Sequence, residues 1–170
     1  EFDYQLSIMS MPFILGMKNI NDLPKQMPYL KAVPNKDFEI KKEKGKINIG
    51  ICWSASITGD SYEGKVFDLK YFEPLINNPK INIYSLQVGD GSEDIKKLGF
   101  ENKVIDLTSK LTDFSKTASL INELDLVISS DTAVAHLAGA LNKEVWIPLQ
   151  KIPDWRWTNK GETTKWYPSA

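Results

Sequence analysis

Residues 126–132 read LVISSDT and combine an apolar run with a polar turn that is suited to binding an anion. Serine, aspartate and threonine are preferred at helix starts, so we expect Ser130 or Asp131 to cap a helix over residues 132–141. The first N–H groups of a helix are unpaired and carry a partial positive charge, which favours a phosphate or diphosphate. The turn therefore predicts an anion-binding site.

Helical spacing places Thr132 and His136 on one face, because they lie four residues apart, and Gly139 continues that face. His136 is the single histidine of the chain. A lone histidine on a helix is either a packed, hydrogen-bonded core residue or a phosphate ligand, and Asp131 is either a helix cap or a ligand-binding carboxylate. The adjoining apolar stripe, which we expect to pack on a sheet, consists of Val134, Leu137, Ala138 and Leu141.

Apolar runs alternate with amphipathic segments, and this alternation predicts the elements that carry the turn. Predicted strands cover residues 47–53, 81–87, 103–107, 126–129 and 144–149, and predicted helices cover residues 69–77, 92–98, 113–124 and 132–141. The pattern is typical of an α/β fold, a Rossmann-like parallel sheet with helices on both faces. Such sheets bind ligands outside the carboxyl ends of their strands. The candidate rim therefore consists of residues 54–65, 87–92, 108–114, 129–132 and 150–160.

The first part of the chain has a different composition. Residues 1–36 contain all four methionines and four of the nine prolines, and residues 37–46 are too charged to form core. We expect residues 37–46 to be a polar linker and residues 47–170 to be the α/β domain. Residues 1–36 are then either the end of a preceding domain or an extension packed on this one.

Composition excludes several classes of protein. A net charge of −1 over 170 residues gives no indication of a nucleic-acid or membrane-surface partner. No apolar run reaches the length of about 18 residues that a membrane span needs. The single cysteine, Cys52, lies in an apolar run and is expected to be a buried strand residue in a reducing compartment. Metal-ligand spacing, a P-loop and a GxGxxG turn are absent from the sequence, and we expect a cytoplasmic protein without a metal.

Residues 125–149, followed by PDWRW and WYPS, resemble the C-terminal half of a GT-B glycosyltransferase of the heptosyltransferase-like family 9. The similarity is greatest to the branch that is often attached to tetratricopeptide repeats in bacteria. IGICW (49–53), SLQVG (85–89) and residues 111–129 also match. The resemblance covers about residues 47–169, with a weaker echo in residues 2–30.

The resemblance implies a site for a nucleotide diphosphate sugar, the donor substrate, with no other cofactor. Its diphosphate-binding residues are then Ser130, Asp131, Thr132, Ala133, Val134 and His136, with Lys65 as the cation. Candidate contacts to the base or sugar are Trp53, Ser54, Gln87, Asp113, Phe114 and Arg156. Tryptophans beside apolar strands stack on a ligand or belong to the core, and both readings stay open for Trp53.

In this family the general base that activates the acceptor hydroxyl comes from the N-terminal domain. The resemblance therefore implies that the catalytic base, the N-terminal domain and any helical repeats lie outside this chain. We expect the chain to bind a nucleotide diphosphate weakly and to transfer no sugar alone. The alternative is a catalytically silent binding or scaffold module that keeps the GT-B fold.

Overall fold

A computed structural model describes residues 2–22, 26–55, 66–157 and 161–170. Within these ranges one parallel sheet has the strand order β3-β2-β1-β4-β5. Its strands are β1 (Ile47–Cys52), β2 (Ile81–Ser85), β3 (Val104–Asp106), β4 (Leu126–Ser129) and β5 (Val145–Trp146). The predicted α/β class with a parallel Rossmann-like sheet is confirmed.

The described α-helices are α1 (Met11–Ile14), α2 (Glu73–Ile76), α3 (Asp94–Lys97), α4 (Phe114–Glu123) and α5 (Ala133–Ala140). Short 3-10 turns occur at Ile8–Ser10, Ile20–Asp22, Lys36–Phe38, Leu69–Phe72 and Thr108–Lys110. The predicted helix over residues 69–77 is split into a 3-10 turn and α2. Pro74 cannot lie in the middle of a helix, but it is tolerated in the first turn of α2, where the N–H that it lacks would have no partner. The predicted strand 144–149 is only two residues long, and Pro148 cannot donate to a sheet ladder.

Side chains of the strands alternate between two buried layers. Ile49 and Ile51 of β1 point into a layer formed with α2 and α3, and Cys52 points into the opposite layer with α4 and α5. The predicted stripe of α5 packs in this second layer, with Ala138 buried and Val134, Leu137 and Leu141 partly buried. Helices therefore cover both faces of the sheet, as predicted.

A buried polar group joins the amino ends of three strands. Asn48 in β1 accepts a hydrogen bond at Oδ1 from Nδ2 of Asn82 at 3.0 Å. The carboxylate of Asp125 accepts from the Asn48 backbone N–H at 2.8 Å and pairs with Lys42 at 3.2 Å. These contacts satisfy the buried amide and fix the position of β4 beside β1.

The N-terminal region touches the domain only in part. Phe2, Tyr4 and Phe13 are exposed, whereas the backbone N–H groups of Tyr29 and Leu30 both donate to the carbonyl of Ala140 at 3.2 Å. The expectation that residues 37–46 contribute nothing to the core is wrong at two positions, because Phe38 is buried and Ile40 packs, partly buried, against the second layer. Phe38 is buried against α4 and the sheet, because its ring covers the second layer where charged neighbours cannot.

Core packing makes a first test of this architecture. Leu120 of α4 is fully buried, so Leu120→Ala is expected to lower the free energy of unfolding by about 2–5 kcal/mol through lost burial and a cavity. Leu98→Ala, at a side chain that is 41 % exposed, is the matched control and should cost less than about 0.5 kcal/mol. Urea unfolding followed by circular dichroism measures both. Similar losses for the two variants would contradict the packing described above.

Candidate functional site

The carboxyl ends of β1 and β4 lie side by side, with Cys52 paired to Ser129. The chain leaves β1 toward β2 on one side and leaves β4 toward β5 on the other, so this is the switch point of the sheet. A pocket of about 520 Å³ opens here. Its lining consists of Cys52, Ser54, Ala55, Leu86, Gln87, Val88, Leu111, Thr112, Asp113, Phe114, Thr117, Thr132, Ala133 and Val134.

The pocket brings together seven of the residues that the sequence singled out: Ser54, Gln87, Asp113, Phe114, Thr132, Ala133 and Val134. Trp53, Ser130, Asp131, His136 and Arg156 are not among its lining residues, and Lys65 lies outside the described residues. Sequence reasoning placed Thr112 on the candidate rim without giving it a role, and it missed Thr117. The signal for Thr117 was its position one turn after the predicted helix start at residue 113.

Helix α5 begins at the pocket, but its cap differs from the prediction. The N-cap is Thr132, in an extended conformation with φ −133° and ψ 172°, so the expectation of Ser130 or Asp131 was wrong. The Thr132 hydroxyl lies 3.0 Å from Oγ of Ser129, and the Asp131 carboxylate turns toward the ring of His136. Neighbours in the same turn and helix thus face both side chains, and Thr132 makes no side-chain cap hydrogen bond. Ala133 and Val134, whose N–H groups belong to the first turn, line the pocket.

Ser130 is buried behind this turn. Its hydroxyl oxygen is inaccessible to solvent and has no hydrogen-bond partner among the described residues. The backbone N–H of Ser130 donates to the carbonyl of Cys52 at 2.9 Å. The main chain of Ser130 therefore extends the pairing of β4 with β1 up to the pocket.

Gln87 ties the end of β1 to the end of β2 through a buried amide. Its Oε1 accepts hydrogen bonds from the N–H groups of Trp53 and Ser54, at 3.0 and 2.8 Å. Its Nε2 donates to the carbonyls of Ser54 and Asp90, at 3.0 and 2.6 Å. The predicted role of Gln87 was a contact to base or sugar. In the structure its amide holds the loop after β1 in place.

Asp113 and Phe114 form the opposite wall at the start of α4. Asp113 is the N-cap, and its Oδ1 accepts from the N–H of Lys116 at 2.9 Å. This hydrogen bond lowers the pKa of Asp113 below its ordinary value, so the carboxylate stays charged. Phe114 is 62 % exposed and presents an aromatic ring at the pocket.

Trp53 and Arg156 are held by partners outside the pocket lining. Trp53 is fully buried in the core, and its Nε1 donates to the carboxylate of Asp94 at 3.2 Å. Arg156 lies in a turn, where its Nε is 2.9 Å from Oδ1 of Asp154. Trp53 therefore occupies the core position that was one of its two predicted readings.

His136 is hydrogen-bonded and stacked. Its Nδ1 lies 2.9 Å from the hydroxyl of Tyr167, and its ring stacks on Trp157 with 5.1 Å between centroids. Its Nε2 lies 3.8 Å from Oδ1 of Asp131, and the side chain is one-third exposed. These contacts match the first of the two predictions for His136, a packed and hydrogen-bonded residue.

Cys52 is a buried strand residue, as predicted, and forms part of the pocket floor. Burial raises the pKa of the thiol, against smaller lowering effects of hydrogen bonds from Thr132 and Ser129. The thiol is therefore protonated and acts as a weak donor, 3.5 Å from Oε1 of Gln87. Over the described parts of the chain, His, Cys, Asp and Glu side chains form no group that could hold a metal ion.

The fold and the pocket define a Rossmann-like α/β domain with a cleft at its switch point. A family model narrows this class: it matches residues 19–146, and the chain belongs to glycosyltransferase family 9 (heptosyltransferase). The resemblance to family 9 inferred from the motifs is therefore confirmed, and the similarity to its repeat-associated branch stays a prediction.

Two individual proteins are similar to the chain. Protein FlbA of Caulobacter vibrioides is 28 % identical over 159 residues, which cover 86 % of this chain and 26 % of FlbA. The chain thus spans about a quarter of the length of this relative. A solved structure of a variant of the wall teichoic acid polymerase TagF is similar with a TM-score of 0.43 and 18 % identity, over 62 % of this chain and 26 % of TagF.

The Gln87 amide leads to a prediction about pH. Gln87→Glu replaces the Nε2 donor by an oxygen that faces the carbonyls of Ser54 and Asp90, so we expect a loss of about 2–4 kcal/mol in the free energy of unfolding at neutral pH. Only the protonated carboxyl can donate to a carbonyl, which raises the folded-state pKa of the introduced group. The charge-dependent loss should therefore shrink as pH falls and vanish below about pH 4.3, the ordinary pKa of glutamate.

Urea unfolding at a series of pH values measures this loss. Gln150→Glu, at an exposed position, is the control and should leave stability nearly unchanged at every pH. A loss at Gln87→Glu that does not change with pH would show that the amide donor is not what holds the loop.

Proposed function

We propose that the chain is the donor-binding part of a glycosyltransferase that moves a sugar from a nucleotide diphosphate sugar to an acceptor hydroxyl. Membership of family 9 supports sugar transfer. The observation that carries the donor-binding role is the position of α5, whose first residues, Ala133 and Val134, line a pocket at the switch point of the sheet. In this proposal the domain is the C-terminal half of a GT-B fold.

The chemistry of transfer explains why a helix start suits this pocket. Negative charge develops on the departing nucleoside diphosphate as the glycosidic bond breaks. The N–H groups of Ala133 and Val134 are fixed by the helix and point outward from its first turn, so they stabilise that charge without reorganising. The partial positive charge at the start of α5 acts in the same direction.

The rest of the pocket suits the nucleoside. A volume of about 520 Å³ falls within the range of roughly 300–1,000 Å³ that small-molecule sites occupy. The exposed ring of Phe114 offers a stacking surface for a base, and Ser54 and Thr112 add polar groups on the lining. We assign Lys65 as the cation for the diphosphate on the family resemblance alone.

In our proposal, sugar transfer also requires a general base and an acceptor site from outside this chain. The chain covers 26 % of FlbA, and the family resemblance implies that the general base comes from an N-terminal domain. We therefore assign the general base and the acceptor site to other parts of a longer protein, an N-terminal domain and helical repeats. None of the described helices is long and apolar enough to cross a membrane.

A second candidate is a binding or scaffold module without donor chemistry. Among the described residues that line the pocket, Asp113 is the charged side chain, and it is negative. A carboxylate opposite the helix start weakens the attraction for a diphosphate. This observation favours the silent module unless a cation enters from outside the described lining.

Calorimetric titration of the 170-residue chain with UDP, GDP and ADP distinguishes the two candidates. Donor binding predicts that one of the three nucleotides binds with millimolar or better affinity, and that the corresponding nucleoside without phosphates binds at least about tenfold more weakly. The absence of heat with all three at millimolar concentration would reject donor binding and leave the silent module.

A proline at the start of α5 tests the role of its backbone. Ala133 is the first residue of the helix, where proline is well tolerated, and the extended conformation of Thr132 suits a residue before proline. Ala133→Pro removes one N–H from the proposed diphosphate site, so we expect affinity for the best nucleotide to fall about 10- to 100-fold, with circular dichroism unchanged.

Ala133→Ser keeps the N–H and serves as the matched control, with affinity expected within about threefold of wild type. If the proline and serine variants bind the nucleotide equally well, the N–H of Ala133 is not a ligand-binding group. The diphosphate would then have to be placed elsewhere in the pocket.

A further inference from the structure

Two aromatic residues from the C-terminal segment pack on α5 around His136. Tyr167 and Trp157 are both buried, and their ring centroids lie 5.7 and 5.1 Å from that of His136. Gly139 makes room for this packing, since a Cβ atom there would overlap the ring of Tyr167. The ring of Tyr167 therefore explains why the residue at position 139, on the same helix face as Thr132 and His136, is a glycine.

The cluster joins the phenol of Tyr167 to the turn before α5. The hydroxyl of Tyr167 lies 2.9 Å from Nδ1 of His136, and Nε2 on the other side of the ring faces Oδ1 of Asp131 at 3.8 Å. Asp131 directly precedes the N-cap of α5 and has a side chain that is only 10 % exposed. The imidazole therefore lies between a buried hydroxyl and a nearly buried carboxylate.

The carboxylate of Asp131 determines which nitrogen of His136 carries the proton, because an ionised carboxylate only accepts hydrogen bonds. A neutral imidazole with its proton on Nε2 presents an N–H toward Asp131 and a lone pair toward Tyr167. The other tautomer would direct a lone pair at the carboxylate. A hydroxyl on Nδ1 fixes the tautomer and the ring orientation of a histidine, as it does in sites where an outer partner orients a ligating ring.

We propose that Tyr167 is a positioning residue of the donor site: its hydroxyl donates to Nδ1 of His136, keeps the proton on Nε2 and thereby holds Asp131 in the turn before α5. The effect on donor binding rests on the proposed function, whereas the tautomer does not. Burial raises the pKa of Tyr167 above the ordinary tyrosine range, so its hydroxyl keeps the proton that it donates. A side-chain hydrogen bond with Tyr29 raises this pKa further, Arg156 also faces Tyr167, and Asp131 faces the other side of the imidazole.

The tautomer is read directly by long-range proton–nitrogen NMR of ¹⁵N-histidine-labelled protein at about pH 8, above the ordinary titration range of histidine. Because the chain has a single histidine, one set of signals reports His136. We expect a protonated Nε2 and an unprotonated, hydrogen-bonded Nδ1. A protonated Nδ1, in the neutral tautomer or in an imidazolium ion, overturns the proposal without any variant.

Tyr167→Phe tests the hydroxyl while keeping the ring that packs against Gly139. The Nδ1 resonance of His136 should shift, and affinity for the nucleotide that binds wild type best among UDP, GDP and ADP should fall about 3- to 10-fold. Tyr71→Phe, at an exposed tyrosine beside Lys70, is the matched control and should change neither signal.

The two readouts separate the failure of this inference from the failure of the proposed function. A wild-type chain that binds none of the three nucleotides rejects donor binding and, with it, the effect of Tyr167 on affinity, but the NMR result still decides the tautomer. A wild-type chain that binds a nucleotide and a Tyr167→Phe variant with equal affinity rejects the positioning role alone.

Discussion

The enclosure of β1 is the constraint on which the rest of the structure depends. Both edges of this strand are paired, with β2 and β4, and both of its faces are buried under helices. A strand with no exposed side has to be apolar along its length, so polar chemistry is confined to its ends. Asn48 satisfies this constraint at the amino end through paired amides, and Gln87 does so at the carboxyl end, where the pocket opens.

The same enclosure explains why so much of the fold is predictable from the sequence. Ile47–Cys52 and Leu126–Ser129 are apolar runs of strand length, and the amphipathic segments between strands indicate helices on both faces. The stripe of α5 from Val134 to Leu141 follows from helical spacing alone. These features depend on periodicity, which is local, and the structure reproduces them.

The details of the site depend on distant partners, which a single sequence does not pair. Asp131 has the right type for a helix cap, but Thr132 takes the cap position, and the Asp131 carboxylate lies 3.8 Å from the ring of His136. Trp53 has a side chain suited to stacking, but Asp94 and the core hold it. Gln87 has the polarity of a ligand contact, yet its amide is used by two neighbouring loops. For Trp53 and Gln87 the residue type was informative, and a hydrogen bond to another part of the chain decided its role.

Helix α5 is held from both ends of the chain. Tyr29 and Leu30 donate to the carbonyl of Ala140, and Tyr167 packs against Gly139 and bonds to His136. The contacts of Tyr29 and Leu30 with Ala140 join residues separated by most of the sequence, whereas Tyr167 lies 31 residues beyond His136. Contacts of high sequence separation require closing a very long loop before they return any energy. The docking of Tyr29 and Leu30 on α5 is therefore among the last steps of folding, and the end of this helix gains its N-terminal contact only when the sheet beneath it is already complete.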